Sequence, residues 1–267
     1  MLPNFMLIGT GRAGSDWITR NLSLHPDIFM PRQKSTSFFT RHYDKGIDWY
    51  SRRFGSRKEN AVGEATVGYL HNENVPELVA RHIPDVKLIA NLRDPVDRAY
   101  SSYGRLLGKA RPGDTNFHIS FEEKIQITPR LLEIGLYAQH LQRWFEYFPR
   151  ENFLILTFDE MKQNPDRFLT KIYSFLGVNA QFQSPLVHQR LNSTAALNAT
   201  SKVAYNIYRG LLRFKFFGLS NAFDVAQGKA RIQIDPNTRR RLIETYFGQD
   251  LRELESIIGK SLSNWKE

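Results

Sequence analysis

The sequence predicts an α/β fold, a central parallel β-sheet flanked by helices on both faces. Three observations carry this expectation. Largely apolar runs at residues 5–9, 87–92 and 152–157 match strands buried on both faces. Segments with apolar residues at helical spacing fall between and after them. Polar turns containing glycine or proline join strand to helix, the alternation expected of a parallel sheet.

The elements follow in order. Residues 5–9 (Phe-Met-Leu-Ile-Gly) read as a short buried strand. Residues 15–24 read as a helix stopped at His25-Pro26, because the residue before a proline is driven out of the helical region. Residues 28–30 form a second short apolar run, ended by Pro31. Residues 48–54 fit a short amphipathic helix, 61–66 a strand and 75–82 a helix. Residues 87–92, bounded by Asp85 and Asp94, are the strongest strand. Asp94 is placed to cap the next helix and Pro95 to fill its first turn, and that helix should reach about Leu107. Residues 108–114 form a charged Gly/Pro loop, and the stretch from there to Pro129 has no clear period. Helical spacing resumes over 132–148, with Leu136, Leu141, Trp144, Phe145 and Phe148. A strand at 152–157 and a helix at 166–176, closed by Gly177, complete the alternation. Residues 181–235 are irregular, and 238–258 read as a terminal helix. No repeat, low-complexity tract or linker divides the chain, so a single domain over residues 1–267 is expected.

Composition narrows the function. Apolar residues make up 41% and aromatic residues 13%, enough for a sizeable core. Lys and Arg number 37 against 27 Asp and Glu, a net charge of +10 that favours an anionic ligand or a basic surface. Zinc-finger spacing and RNA-binding aromatic motifs are absent, so nucleic acid is not the expected partner. The absence of cysteine excludes disulfides, thiolate nucleophiles and Cys-ligated metals, and no carboxylate cluster argues for a metal. The first residues lack a basic segment followed by a long apolar one, and no apolar run approaches the ~20 residues of a spanning helix. A cytoplasmic protein without a transmembrane segment is expected. The basic, aromatic stretch 205–217 fits a packed helix better than a membrane-surface one.

Two strand-to-helix turns carry the chemistry. The strand at 5–9 runs into Thr10-Gly11-Arg12-Ala13-Gly14-Ser15-Asp16-Trp17, and the strand at 87–92 runs into Arg93-Asp94-Pro95-Val96-Asp97-Arg98-Ala99-Tyr100-Ser101. In a parallel sheet both turns lie on the ligand-binding edge. A glycine-rich turn opening a helix directs backbone N–H groups at an anion, and each turn adds a cation, so the pair suggests a ligand with two separate anionic groups. A Walker A loop is not formed, because Ser15 stands where its Lys belongs, which disfavours a nucleotide kinase. Gly9, Gly11 and Gly14 spell a dinucleotide fingerprint, but the acidic ribose ligand expected ~20 residues on has no candidate.

Arg12-Ala13-Gly14-Ser15-Asp16-Trp17 resembles the loop with which sulfotransferases hold the 5′-phosphosulfate of PAPS (3′-phosphoadenosine 5′-phosphosulfate). The second turn resembles the 3′-phosphate motif of the same family, an Arg followed eight residues later by a Ser, here Arg93 and Ser101. Lys34 to Phe39, Lys45 to Tyr50, Gly63 to Leu70 and Tyr137 to Trp144 follow the order of the glycan-type members, and Leu251 to Trp265 is similar to the C-terminal helix of bacterial members. The resemblance spans most of residues 5–178 and the tail. It implies a P-loop-like fold, PAPS as donor and in-line sulfuryl transfer without a metal. The donor-binding residues it implies are Gly11, Arg12, Ala13, Gly14, Ser15, Asp16, Trp17, Arg93 and Ser101, with Lys229, Ala230 and Arg231 in a basic loop closing over the donor. Arg20, Lys34 and Arg98 add positive field, although Arg98 is also placed to reach solvent.

The chain departs from that pattern at several points. Arg12 replaces the usual Lys of the loop; it keeps the charge but does not donate a proton in practice. Asp16 stands where a hydroxyl residue is usual, facing the acceptor or serving the helix dipole. Ser35 replaces the Glu that takes the acceptor proton in glycan-type relatives, and Ala65 replaces a Lys. Arg12, Glu64 and Asp16 are therefore the expected catalytic residues, Glu64 as general base at a strand end, with His42, His71 and His118 as substitutes. The acceptor implied is a hydroxyl or amine of a glycan or small metabolite. The alternative is a non-catalytic PAPS- or nucleotide-binding protein that has lost its base.

Overall fold

A computed structural model describes residues 1–107, 119–189 and 234–266. Five parallel strands form the sheet: β1 (Phe5–Gly9), β2 (Ile28–Phe29), β3 (Ala61–Ala65), β4 (Lys87–Leu92) and β5 (Phe153–Thr157), in the order β2-β3-β1-β4-β5. Alternation along β1 sends Met6 and Ile8 into one apolar cluster and Phe5 and Leu7 into another. The same division along β4 puts Leu88, Ala90 and Leu92 on one face and Ile89 on the other. Both faces are thus covered by helices, as a parallel sheet requires.

From β1 the chain first builds one side of the sheet, through β2 and β3, and then crosses to the other with β4. The crevice beyond the carboxyl ends of β1 and β4 is therefore the topological switch point, where ligands bind in open α/β sheets. Helix α1 (Ser15–Leu22) follows β1 and helix α5 (Pro95–Leu107) follows β4, so both anion-type turns flank that crevice. Between them lie α2 (Phe38–Arg41), α3 (Gly46–Ser51) and α4 (Val75–His82).

The largest difference from the sequence-based expectation is the helix at 132–148. It is two helices, α7 (Arg130–Glu133) and α8 (Tyr137–Phe145), preceded by α6 (Phe121–Ile127) in the region without a clear period. The break falls at Gly135, where an added Cβ would lie 2.8 Å from Pro95 and 2.9 Å from Phe247. Close approach of the backbone to two neighbours wins over apolar spacing. The apolar period remained visible because both helices bury the same face, with Leu132, Leu141, Trp144 and Phe148 in one cluster.

Beyond β5 come α9 (Phe158–Gln163), for which the sequence reading had no element, and α10 (Pro165–Leu176), capped by Gly177. The terminal helix begins two residues earlier than expected, as α11 (Pro236–Leu242), and passes through a π-helical turn at Ile243–Phe247 into α12 (Gly248–Ile258). A short α13 (Ser263–Lys266) buries Trp265. Among the described residues no helix is long and apolar enough to cross a membrane.

Glu160 ties three of these pieces together. Its carboxylate completes the capping box with Thr157 and receives Lys171 at 2.7 Å and Lys260 at 2.9 Å. Burial raises its pKa, but the hydrogen bonds from Lys171, Lys260 and the Thr157 N–H outweigh burial and bring it down to about 2. A carboxylate whose folded pKa is depressed stabilises above its unfolded pKa, and that contribution is lost as pH falls through the folded value. Glu160→Gln should therefore lower Tm at neutral pH, and the gap to the unsubstituted protein should close between about pH 4.5 and 2. Thermal melts across that range check both points; a gap constant with pH would show that charge at Glu160 is not what matters.

Candidate active site

The first turn is built to expose its backbone. Arg12 and Gly14 take φ values of 73° and 83°, with Ala13 between them. Left-handed residues in such a turn can direct successive N–H groups inward, the arrangement on which backbone anion sites rest. Gly14 also lies close to Met161, whose side-chain end would stand 2.6 Å from an added Cβ and would have to shift. From the neighbouring strand, Asn91 donates its side-chain N–H to the Ala13 carbonyl and fixes the turn from below.

The two turns meet. Arg12 Nε donates to Ser101 Oγ at 2.9 Å across 89 residues of sequence, and Arg93 Nη1 donates to the Arg12 carbonyl at 3.1 Å. Tyr137 on α8 donates to the Arg93 carbonyl at 2.8 Å and holds the end of β4. Burial lowers the Arg12 pKa, the charges of Arg105 and Arg93 lower it further, and Asp16 opposes them. Arg93 Nε is buried without a hydrogen-bond partner. The crevice thus concentrates guanidinium groups that repel one another, the state a polyanion relieves.

A third segment closes the site. Lys34 donates to Ser15 Oγ at 2.9 Å and to Asp16 Oδ1 at 2.5 Å. Asp16 is half exposed, at 52%, and its charge beside an anion site is balanced by this lysine. The Lys34 carbonyl accepts from Ala65 N–H, which docks the loop along the end of β3.

Several expected residues sit elsewhere than the sequence suggested. Glu64 does not face the crevice directly. It is fully buried, and both carboxylate oxygens are engaged: Oε1 accepts from Tyr50 at 2.6 Å and Tyr69 at 3.2 Å, and Oε2 from Thr36 Oγ1 at 2.6 Å, Thr66 Oγ1 at 2.7 Å and the Thr36 N–H at 3.2 Å. With both oxygens taken up by protein donors, Glu64 is not placed as an open base at the strand end, as the sequence reading expected. Burial and the nearby Glu64 charge raise the Tyr50 pKa well above its ordinary value, so that hydroxyl stays a donor. The Trp17 side chain is in the core, edge-on to Phe168 at 6.1 Å, where it supports α1. Arg98 is 2% exposed and reaches neither solvent nor the crevice; it donates to the Leu131 carbonyl and anchors α7.

His71 lies in a cleft of about 100 Å³ with His140, Arg130 and Arg143 among its walls. Burial, then Arg130, pushes the His71 pKa down to about 4, so it is neutral at physiological pH. His42 packs against Trp49 at 5.4 Å. His118, Lys229, Ala230 and Arg231 lie outside the described residues. Among the described residues no group of His, Asp and Glu could hold a metal ion.

Sequence reasoning missed three contributors. Asn91 had a signal, as the polar residue inside an apolar strand. Arg105 had one too, standing one helical turn beyond Ser101 on the same face of α5. The hydroxyl cluster of Ser35, Ser37 and Thr66 had none, because it exists only where the 34–37 loop meets the end of β3.

Comparison with known proteins agrees with this geometry. Residues 2–227 match the family described as the sulfotransferase domain. The bifunctional heparan sulfate N-deacetylase/N-sulfotransferase 3 of Mus musculus is 28% identical over 99% of this chain and 31% of its own length. The heparan sulfate glucosamine 3-O-sulfotransferase 5 of Homo sapiens is 28% identical over 99% of this chain and 74% of its own length. The chain spans about a third of the length of the first curated relatives it matches. Among solved structures, a sulfotransferase from Alicyclobacillus acidocaldarius superposes with a TM-score of 0.75 at 26% identity, covering 100% of both chains. A mouse sulfotransferase complexed with PAP shares the fold, with a TM-score of 0.51 at 17% identity over 96% of this chain and 87% of its own. This chain belongs to the sulfotransferase domain family, whose sulfuryl donor is PAPS.

Proposed function

We propose that this chain transfers a sulfuryl group from PAPS to a hydroxyl or amine of a glycan or small-metabolite acceptor. The observation that carries the reading is the junction of the two turns. Arg12, Arg93 and Ser101 come together at the switch point, with an unpartnered buried guanidinium nitrogen on Arg93. Two anion sites on one continuous cationic floor fit a donor with a 5′-phosphosulfate and a 3′-phosphate. Backbone N–H groups of residues 11–15 and Ser15 Oγ hold the first group, and Arg93 with Ser101 holds the second. Lys34 and Asp16 form a balanced pair beside the first, and the role assigned to Asp16 is to position Lys34.

The donor, when bound, supplies an activated sulfur and a leaving phosphate oxygen. What the chain supplies is alignment and charge. The role assigned to Arg12 is to meet the negative charge that grows on the bridging oxygen, where a fixed guanidinium acts without reorganisation. The relatives whose names specify heparan sulfate support a glycan acceptor. The burial of Glu64 favours the second reading, a donor-binding protein without turnover. An acceptor screen with PAPS, read by mass spectrometry for added sulfonate, separates the two.

The 3′-phosphate should dominate ligand affinity. Calorimetry should find adenosine 3′,5′-bisphosphate bound much more tightly than AMP, and Arg93→Ala should remove about ten-fold or more of that affinity, the loss of one charge-assisted hydrogen bond at about 1.5–3 kcal/mol. Equal affinities for the two nucleotides would defeat the two-site reading. Arg12→Ala should act on kcat more than on donor KM, since its charge is needed most in the transition state. A change confined to KM would reassign Arg12 to ground-state binding.

A further inference from the structure

The hydroxyl cluster beside the donor turn has a fixed polarity. Thr66 Oγ1 donates to Glu64 Oε2 at 2.7 Å, which uses its single proton. At Thr66 Oγ1 the remaining contacts are therefore accepted, one from the Ser37 N–H at 3.3 Å and one from Ser35 Oγ at 3.1 Å. Ser35 must then spend its proton on Thr66, so the contact between Ser35 Oγ and Ser37 Oγ at 3.0 Å is donated by Ser37. The row runs in one direction, from Ser35 through Thr66 to Glu64. Its inner end is a buried carboxylate and its outer end is partly exposed. Ser35 also follows Lys34 in the chain, and Lys34 is anchored on Ser15 and Asp16 at the start of α1. The open end of the row therefore stands next to the donor turn.

We propose that Ser35, Thr66 and Glu64 form a proton relay that takes the proton of a hydroxyl acceptor inward to Glu64. The proposal rests on the sulfotransferase reading above. Ser35 is the catalytic group, since it touches the acceptor; Thr66 and Glu64 act through it. As the acceptor oxygen bonds to sulfur, the bond from sulfur to the bridging oxygen breaks, and that oxygen leaves with the electron pair. The acceptor proton passes to Ser35 Oγ, the Ser35 proton to Thr66 Oγ1 and the Thr66 proton to Glu64 Oε2. The carboxylate becomes a carboxylic acid, both serine and threonine end neutral, and no further reactant is needed. The reverse path returns the proton to solvent after product leaves. Tyr50 and Tyr69 remain donors to Oε1 throughout and hold the carboxyl group in place.

The test compares Thr66→Val, which keeps the shape and removes the hydroxyl, with Thr66→Ser, which keeps the hydroxyl. Ser35→Ala is a third variant at a partly exposed position, where folding is not at stake. Turnover is measured with PAPS and a panel of hydroxyl- and amine-bearing oligosaccharides and small metabolites, and binding of adenosine 3′,5′-bisphosphate is measured by calorimetry on each protein. Thr66→Val and Ser35→Ala should lower kcat about 100-fold or more, the usual worth of a lost base, with bisphosphate affinity unchanged. Thr66→Ser should recover most of the rate. The proton inventory in mixed H₂O and D₂O should bow for the unsubstituted protein, since several protons move together, and the bow should disappear in Thr66→Val. Thr66→Val or Ser35→Ala within about three-fold of the unsubstituted rate would overturn the relay while leaving the sulfotransferase reading intact. Unsubstituted protein that binds the bisphosphate but sulfates no member of the panel would overturn both.

Discussion

Everything at this site depends on holding like charges together. Arg12 feels both Arg105 and Arg93, and burial adds to the cost of its charge. Left to themselves these side chains would separate. The fold opposes this through backbone geometry as well as through the nearby Asp16 and Asp97: β1 and β4 pair side by side, with Gly9 opposite Ala90, and hold the two turns that follow together. Asn91 and Tyr137 then secure the Ala13 and Arg93 carbonyls. The stability of the sheet is spent on a cationic crevice, a common way in which a functional site opposes the stability of its own fold.

The parts of the site that could be read from the sequence are those whose chemistry is local. A strand, a glycine- or proline-bearing turn and a helix start all fall within about fifteen residues, so the turns at 10–17 and 93–101 were legible as strand-to-helix turns on one edge of the sheet. The strands at 5–9 and 87–92 and the helices at 75–82 and 95–107 were legible for the same reason. Glu64 was not, because its environment is made by Tyr50, Thr36 and Tyr69 arriving from other segments, and a strand-end glutamate looks the same whether sealed or open. Trp17 shows the same limit: the motif gave its position, and only packing against Phe168 revealed that its side chain faces inward. The split of 132–148 at Gly135 came from contacts with Pro95 and Phe247, neither of them near in sequence.

Asp16 illustrates how a charge that looks misplaced is accommodated. A carboxylate beside an anion site is repulsive unless paired. Lys34 supplies the pairing at 2.5 Å and at the same time reaches Ser15, so one lysine orients both a carboxylate and a hydroxyl at the mouth of α1. The pair is partly exposed and adds little to stability in itself. Its consequence is geometric: it draws the 34–37 loop against the 10–17 turn, and with it Ser35 and Ser37.

The C-terminal helix has a matching part at the second turn. Asp94 and Asp97 stand within one helical turn of Arg93, and Asp97 approaches it to 3.6 Å. Two carboxylates so close offset the charge of that guanidinium. Arg239 on α11 intervenes, pairing with Asp94 and reaching Asp97 at 3.1 Å. It meets Asp97 closer than Arg93 does, and Arg93 Nε has no hydrogen-bond partner. Asp94 meanwhile accepts the Asp97 N–H at 2.8 Å and caps α5, which keeps Ser101 in register with Arg93. A residue 146 positions away in sequence thus shares the carboxylates that border Arg93.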